Sequence, residues 1–302
     1  MATTDSKTYW RSPELGAGQT VTLLQGELRY FESGSGETLV FVHGLLVNAN
    51  LWRKVVPTLS KDHHCIVLDL PFGSHEIPMP NAELDPHGMA DLIADAIEAL
   101  DLDNVTLVGN DSGGALSQMV ATRRSERIAR LVLTSCDAFD NFPPAMFKPL
   151  LMTARIPGGL LALATSLRPG PPRQLPLAFG WLTKRPLDRD ASDSYVLPVA
   201  TSSAVRADVR RFLLTANPSY TIEAAGHLGE FEKPALIAFS REDRFFPNEH
   251  AERLATILPD ARLEWVEDAR TFSMEDNPAR VAELVAGFVR ETAQDSVSAR
   301  AV

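Results

Sequence analysis

Short runs rich in Val, Leu and Ile alternate with segments of helical periodicity along most of this chain, and that alternation is what most narrows its possible folds. The runs are TLVFVHG (38–44), HCIVLDLPFG (64–73), VTLVGN (105–110) and RIARLVLTSC (127–136), each ending in turn chemistry. Between the second and third lies PHGMADLIADAIEALDL (86–102), whose apolar residues recur at helical spacing behind Asp85-Pro86. Strands alternating with helices predict an α/β chain with a mostly parallel twisted sheet flanked by helices. Upstream, TVTLLQGELRYFESG (20–34) alternates as a hairpin does, with a turn near Gln25-Gly26.

From Asp137 to about Gly226 the pattern changes to short amphipathic pieces dense in Pro and Gly, without clear strands. This predicts an inserted helical cap (137–226) between two parts of one core, 1–136 and 227–302. The alternation resumes at PALIAFSREDRFFP (234–247), then the helix NEHAERLATIL (248–258), the strand ARLEWVEDA (261–269) and a final helix NPARVAELVAGFVRETA (277–293). The polar ends are expected to be ragged. No internal repeat is visible.

A chain of 302 residues, 45% hydrophobic, can bury a large core. The formal charge of −10, from 29 Lys and Arg against 39 Asp and Glu, argues against nucleic-acid phosphates and anionic membranes as partners. The start lacks the charged flank and apolar run of a secretory signal, and no stretch reaches the ~20 apolar residues that span a bilayer. The expectation is a soluble, cytoplasmic protein acting on a small apolar molecule, of undefined oligomeric state. Cys65 and Cys136 read as reduced, buried strand residues. No dinucleotide-type glycine loop and no metal-ligand spacing is present, so neither a cofactor nor a metal is implied.

The stretch VGNDSGG (108–114) joins a strand to an amphipathic helix, as a nucleophile elbow does. Such a turn needs small residues two before and two after its tip. Centred on Asp111 these are Gly109 and Gly113; centred on Ser112 they are Asn110 and Gly114. The steric argument favours Asp111, although either side chain could instead cap the helix.

In this order the markers resemble the α/β-hydrolase fold, over about residues 20–290. VFVHG resembles the strand entering the oxyanion loop, HGLLVNANLW the His-Gly and Leu-Trp signature after it, VGNDSGGAL the elbow, and SREDRFFP the loop presenting the triad acid. The resemblance implies Asp111 as nucleophile, the amides of Ser112 and Leu45 as an oxyanion hole, and Asp243 as the acid that orients a histidine. Where the family has that histidine, DARTFSMEDNP places Thr271. Of the remaining histidines, His250 is expected to pack on a helix, His227 to end the cap, His63 and His64 to sit in a solvated loop, and His43 to be structural.

A serine without a base is nearly inert, whereas an aspartate near its reference pKa of ~3.9 is already ionised at neutral pH. Carboxylate attack suits a saturated electrophilic carbon, because the product is a stable ester. The branch with aspartate at the elbow contains epoxide hydrolases and haloalkane dehalogenases, whose second step needs a base worth ~10²- to 10⁴-fold. Asp137, at the carboxyl edge of the sheet, is the candidate for that task; its alternative role is a cap for the first turn of the insertion. Dehalogenases hold the halide with a tryptophan beside the nucleophile and often an asparagine after His-Gly. Ser112 and Leu45 stand there in this chain, which places epoxide-like substrates ahead of halides. Tyr195 and Tyr220 are the available cap tyrosines. Leu46, Phe142, Trp181 and Tyr195, with Met146, Phe147, Met152 and Phe179, are expected to line an apolar pocket. A non-hydrolytic acid/base enzyme (isomerase, lyase or cyclase) and a ligand-binding protein on the same fold are the alternatives.

Overall fold

The computed structural model describes residues 8–300, with side chains to residue 294. Of the polar ends expected to be ragged, residues 1–7 and 301–302 lie outside the described residues, whereas 294–300 continue the last helix instead of fraying. Eight strands form one sheet: β1 (Ala17–Leu23), β2 (Gly26–Ser33), β3 (Glu37–Val42), β4 (His63–Asp69), β5 (Val105–Asp111), β6 (Ile128–Cys136), β7 (Ala235–Ser240) and β8 (Ala261–Val266). Their order is β1-β2-β4-β3-β5-β6-β7-β8. The β1–β2 hairpin and the β2–β4 pair are antiparallel, and every later pair is parallel. The helices are α1 (Val56–Leu59), α2 (Pro86–Ala99), α3 (Ser112–Arg123), α4 (Lys148–Arg155), α5 (Gly159–Ser166), α6 (Arg189–Thr201), α7 (Ser203–Thr215), α8 (Pro218–His227), α9 (Asn248–Ile257), α10 (Ser273–Asp276) and α11 (Pro278–Arg300). This is the expected twisted, mostly parallel sheet flanked by helices, with a helical cap region inserted between β6 and β7.

The strands follow from burial on both faces. Leu39 to Val42 on β3 and Ala235 to Ser240 on β7 are shut off from solvent, and runs of this kind cannot alternate with polar residues. At the edge, β1 is exposed over its first four residues. His63 and His64 correct the expectation of a solvated loop. They open β4, half-buried, and His64 Nε2 lies 2.8 Å from Glu32 Oε1 on the neighbouring strand. Helix α2 starts as its sequence predicts: Asp85 accepts the Gly88 N–H at 2.7 Å, and Pro86 fills a first-turn position that needs no donor.

Helix α3 departs from the amphipathic expectation, because Ser112 to Ala121 are all buried. It is enclosed by the sheet, α2 and α8, so its polar residues must bond inward. Ser117 Oγ donates to Gly113 O at 2.8 Å, and Gln118 Nε2 donates to Asp137 O at 2.8 Å. Glycine lets the helix approach this closely. A Cβ on Gly114 would stand 2.2 Å from Cys136 Cβ, and one on Gly113 would stand 2.4 Å from His43 O. Both cysteines are free and buried, as expected. Gly114→Ala is predicted to destabilise the fold by about 2–3 kcal/mol through overpacking against β6, read as a lower urea midpoint at unchanged slope.

Candidate active site

Strand β5 ends on Asp111, whose φ of 55° and ψ of −132° turn the chain abruptly into α3. A positive φ is strained for a residue with a Cβ and persists where the surroundings over-determine it. Here the sheet holds one side of the turn and the close-packed glycines the other. Asp111, not Ser112, thus occupies the tip, and Ser112 begins the helix.

The Asp111 carboxylate is hydrogen-bonded at one oxygen and close-packed at the other. Oδ1 accepts the Ser112 N–H at 2.7 Å, while Oδ2 lies against Gly44, where an added Cβ would stand 2.5 Å away. The chain after Gly44 folds back sharply, with Leu46 at φ 57° and its N–H donating to Phe72 O at 3.0 Å. The Leu45 N–H has no acceptor among the described residues. His43 is fully buried, with Nε2 accepting the Leu70 N–H at 2.9 Å and Nδ1 donating to Gly44 O at 2.8 Å. Burial lowers its pKa to about 4, so it is a neutral strut, as expected of it.

Three more of the expected residues gather behind the elbow. Asp137 is fully buried, and its Oδ2 lies 3.1 Å from Ser112 Oγ, which in turn lies 3.4 Å from Asp111 Oδ1. Asp243 Oδ1 accepts the N–H groups of Phe245 and Phe246 at 2.8 and 2.9 Å and the Thr271 hydroxyl at 3.1 Å. The second oxygens of Asp137 and Asp243 are buried without a partner among the described residues.

Burial, and next the charge of Asp243, raises the Asp111 pKa to about 7, against the pull of the Ser112 bonds. Asp137 is raised well above the usual carboxylate range by burial and by Asp111. Burial likewise raises Asp243, although the two amides and Thr271 oppose it. This corrects the expectation of an Asp111 fully ionised at neutral pH. When Asp137 carries a proton, that proton can face Ser112 Oγ, leaving the serine hydroxyl to face Asp111.

A cavity of about 450 Å³ opens over Asp111 and Ser112, walled by residues of the loop after β3 and of the cap, including Leu45, Leu46, Met146, Phe147, Phe179 and Val196. Asp137, Asp243 and Thr271 are not on its surface, and the Ser112 hydroxyl links the cavity to Asp137. No histidine lines it. His227 is exposed beside Glu230, and His250 lies edge-on to Phe139 at 5.2 Å.

Several expected wall residues lie elsewhere. Phe142 is fully buried in the core, 6.3 Å edge-on to Phe212. Trp181 turns outward to Phe245 and the Arg244 guanidinium, and Met152 is exposed on the cap. Tyr195 does line the cavity, yet its hydroxyl is sealed from solvent without a partner, in the field of Glu275 and Arg53, and burial keeps it a phenol. Tyr220 packs edge-on against His87 at 4.7 Å on α8.

Other contributors escape the sequence reading. Asn110 Nδ2 donates to Thr271 O at 2.9 Å and Thr134 Oγ1 at 3.1 Å, tying the elbow to the loop that carries Thr271. Its only sequence signal is an amide side chain at the end of a buried strand, where partners are obligatory. A polar seam anchors α6 over the site: Asn48 Nδ2 donates to Ser194 O at 3.0 Å, Asn50 Nδ2 to Ser194 Oγ at 2.9 Å, and Ser74 Oγ to Tyr195 O at 2.7 Å.

The alpha/beta hydrolase fold family profile matches residues 37–278. The chain belongs to that family. Among curated relatives, this α/β-hydrolase is 27% identical over 263 residues to an uncharacterized hydrolase, YugF, of Bacillus subtilis, covering 86% of this chain and 93% of that one. It is also 27% identical over 278 residues to a cis-3-alkyl-4-alkyloxetan-2-one decarboxylase of Shewanella oneidensis, covering 88% and 86%. The solved structure of the epoxide hydrolase CorEH superposes with a TM-score of 0.76 at 18% identity, covering 91% of this chain and 99% of that one. With an apolar cavity of molecular size over the elbow, this α/β-hydrolase is shaped for a small apolar substrate.

The raised pKa has a stability consequence. An unfolded aspartate releases its proton near 3.9, while folded Asp111 holds it to about 7, so this group's contribution to stability falls as pH rises between those values. Asp111→Asn is predicted to raise the melting temperature by about 3 °C or more at pH 8, with the gap closing toward pH 5. Equal melting of the two proteins across that range contradicts the assignment.

Proposed function

We propose that the chain attacks a small to medium apolar electrophile through Asp111, with epoxide-like, strained oxygen rings ahead of halides. The observation that carries this reading is the carboxylate at a strained turn, one oxygen on the Ser112 amide, looking into an apolar cavity. An Asp111 oxygen forms a bond to ring carbon, the electron pair of the breaking C–O bond goes to the ring oxygen, and that oxygen takes a proton from water. The product is an alkyl ester on the enzyme.

Release of that ester requires a water activated by a base. Thr271 occupies the place beside Asp243 that the family gives to histidine, and a threonine hydroxyl cannot take up water's proton at neutral pH. Asp137 is the remaining acceptor, reached through Ser112. Alkylation neutralises Asp111 and so removes one of the three causes that raise Asp137, leaving burial and the charge of Asp243. The second step is therefore slow, and the ester accumulates.

One observation favours a second reading, a lyase. In-line attack leaves the departing oxygen on the cap side, where the cavity offers no free donor: the Tyr195 hydroxyl is sealed, and Thr153 and Ser166 bond back to their own helices. A leaving group stable as an anion needs no such donor. A four-membered lactone opened at its alkyl carbon releases a carboxylate, and the similarity to an oxetanone decarboxylase lends this weight.

Both readings are tested by incubating the protein with a 1,2-epoxyalkane or with a 3,4-dialkyl oxetan-2-one and weighing the intact chain. A single persistent adduct on Asp111, absent in Asp111→Asn and released in Thr271→His, is the expected result. Its rate of formation should rise with pH through about 7 and then level, because only the ionised carboxylate attacks. Carbon dioxide release from the lactone without net adduct favours the lyase. No reaction with either probe, or an adduct that survives Asp111→Asn, overturns the assignment of Asp111.

A further inference from the structure

The net charge of −10 conceals an asymmetry. Residues 141–187 contain six Lys and Arg and no Asp or Glu. Arg173, Lys184 and Arg185 are neutralised by Asp193, by Glu242 with Asp268, and by Asp268. Lys148, Arg155 and Arg168 are exposed and have no carboxylate within 4 Å among the described residues. Arg210 joins them from α7, its Nε donating to Ala154 O at 2.8 Å at the end of α4, likewise without an acidic partner. Elsewhere the half-exposed Arg124, Arg127 and Arg280 are matched to carboxylates, while the exposed Lys61, Arg244, Arg253 and Arg290 are unmatched among the described residues but scattered along the sequence and interspersed with acidic residues.

The same segment carries most of the large apolar side chains that the protein leaves in solvent. Met152 (54% exposed) and Ile156 (56%) flank Arg155 on one side of α4 and its end, Leu161 protrudes from α5, and Leu175 (58%) and Leu177 (49%) follow. Leu175 and Leu177 also line the cavity over Asp111, so the outer apolar surface runs into the inner one. Apolar side chains flanked by Lys and Arg on a surface helix suit the boundary between lipid headgroups and acyl chains. A second copy of this chain fits the face less well, since a two-fold contact would set the same unpaired cations against one another.

We propose that the outer face of the cap, from α4 through Leu177, docks on an anionic lipid bilayer and takes up apolar molecules from it. The uptake half rests on the proposed apolar substrate; the docking half does not. No helix of the described residues is long and apolar enough to cross a membrane, so the contact is peripheral. Exposed Met152, Ile156, Leu175 and Leu177 enter the acyl boundary, while Lys148, Arg155, Arg168 and Arg210 meet lipid phosphates.

The test is flotation of the full chain, and of Asp111→Asn, with vesicles of phosphatidylcholine alone or mixed equally with phosphatidylglycerol. Both proteins are expected to float with the mixed vesicles, to lose binding in high salt and to ignore the neutral ones. Arg155→Glu with Arg168→Glu should weaken binding roughly thirty-fold or more, and Met152→Ser with Ile156→Ser should weaken it without changing its salt dependence. These positions are exposed, so unchanged thermal melting shows the variants folded. Absence of flotation, flotation that survives the charge reversals, or sedimentation showing a dimer that Ile156→Ser dissociates would each overturn the proposal. Flotation of Asp111→Asn that equals the parent's separates failure of the catalytic reading from failure of this one.

Discussion

The site depends on one backbone turn. Asp111 leaves β5 at a positive φ and its carboxylate is wedged between the Ser112 amide and the bare Cα of Gly44. Three close approaches make the turn possible, at Gly109, Gly113 and Gly114, and each would clash if the glycine carried a Cβ. The strain is offset by the packing of α3, which is buried over nearly its whole length. Stability and chemistry are therefore opposed at this point: the fold holds a carboxylate in a place that prefers it uncharged.

That conflict organises the electrostatics around it. Asp111, Asp137 and Asp243 share one desolvated region, and like charges raise one another on top of the burial penalty. The Ser112 hydroxyl sits between two of them and can pass a proton from one to the other. Asp243 differs from Asp137 in having two backbone amides and the Thr271 hydroxyl on one oxygen. All three carboxyls are raised and no imidazole is among them, which on the proposed reading suits one-step alkylation or an acid/base reaction better than repeated hydrolysis.

The fold was legible in the sequence because buried parallel strands write themselves as unbroken apolar runs, and because glycine spacing at 109 and 113 singled out Asp111 over Ser112. Helix α3 reads as amphipathic in sequence, since Ser117 and Gln118 resemble a solvent face, and only their inward partners make it a buried helix. The cap was harder. Its Phe142 and Trp181 differ from Phe147 and Phe179 only in which way the backbone turns them, and periodicity over short Pro- and Gly-rich pieces does not encode that. Asn110 and the Asn48, Asn50 and Ser194 seam depend on partners 24 to 161 positions away, beyond any local pattern. A carboxylate's reference pKa likewise says nothing of the charges that the sheet edge gathers around it.

The most direct test of the central claim is the titration of Asp111 itself. Carboxyl ¹³C NMR of aspartate-labelled protein, with the resonance assigned by its loss in Asp111→Asn, should show a midpoint near 7 that falls in Asp243→Asn. A midpoint near 4, unmoved by that substitution, would mean that the side chain is solvated and free of its neighbours, and the account of a desolvated, proton-sharing carboxyl at Asp111 would be wrong.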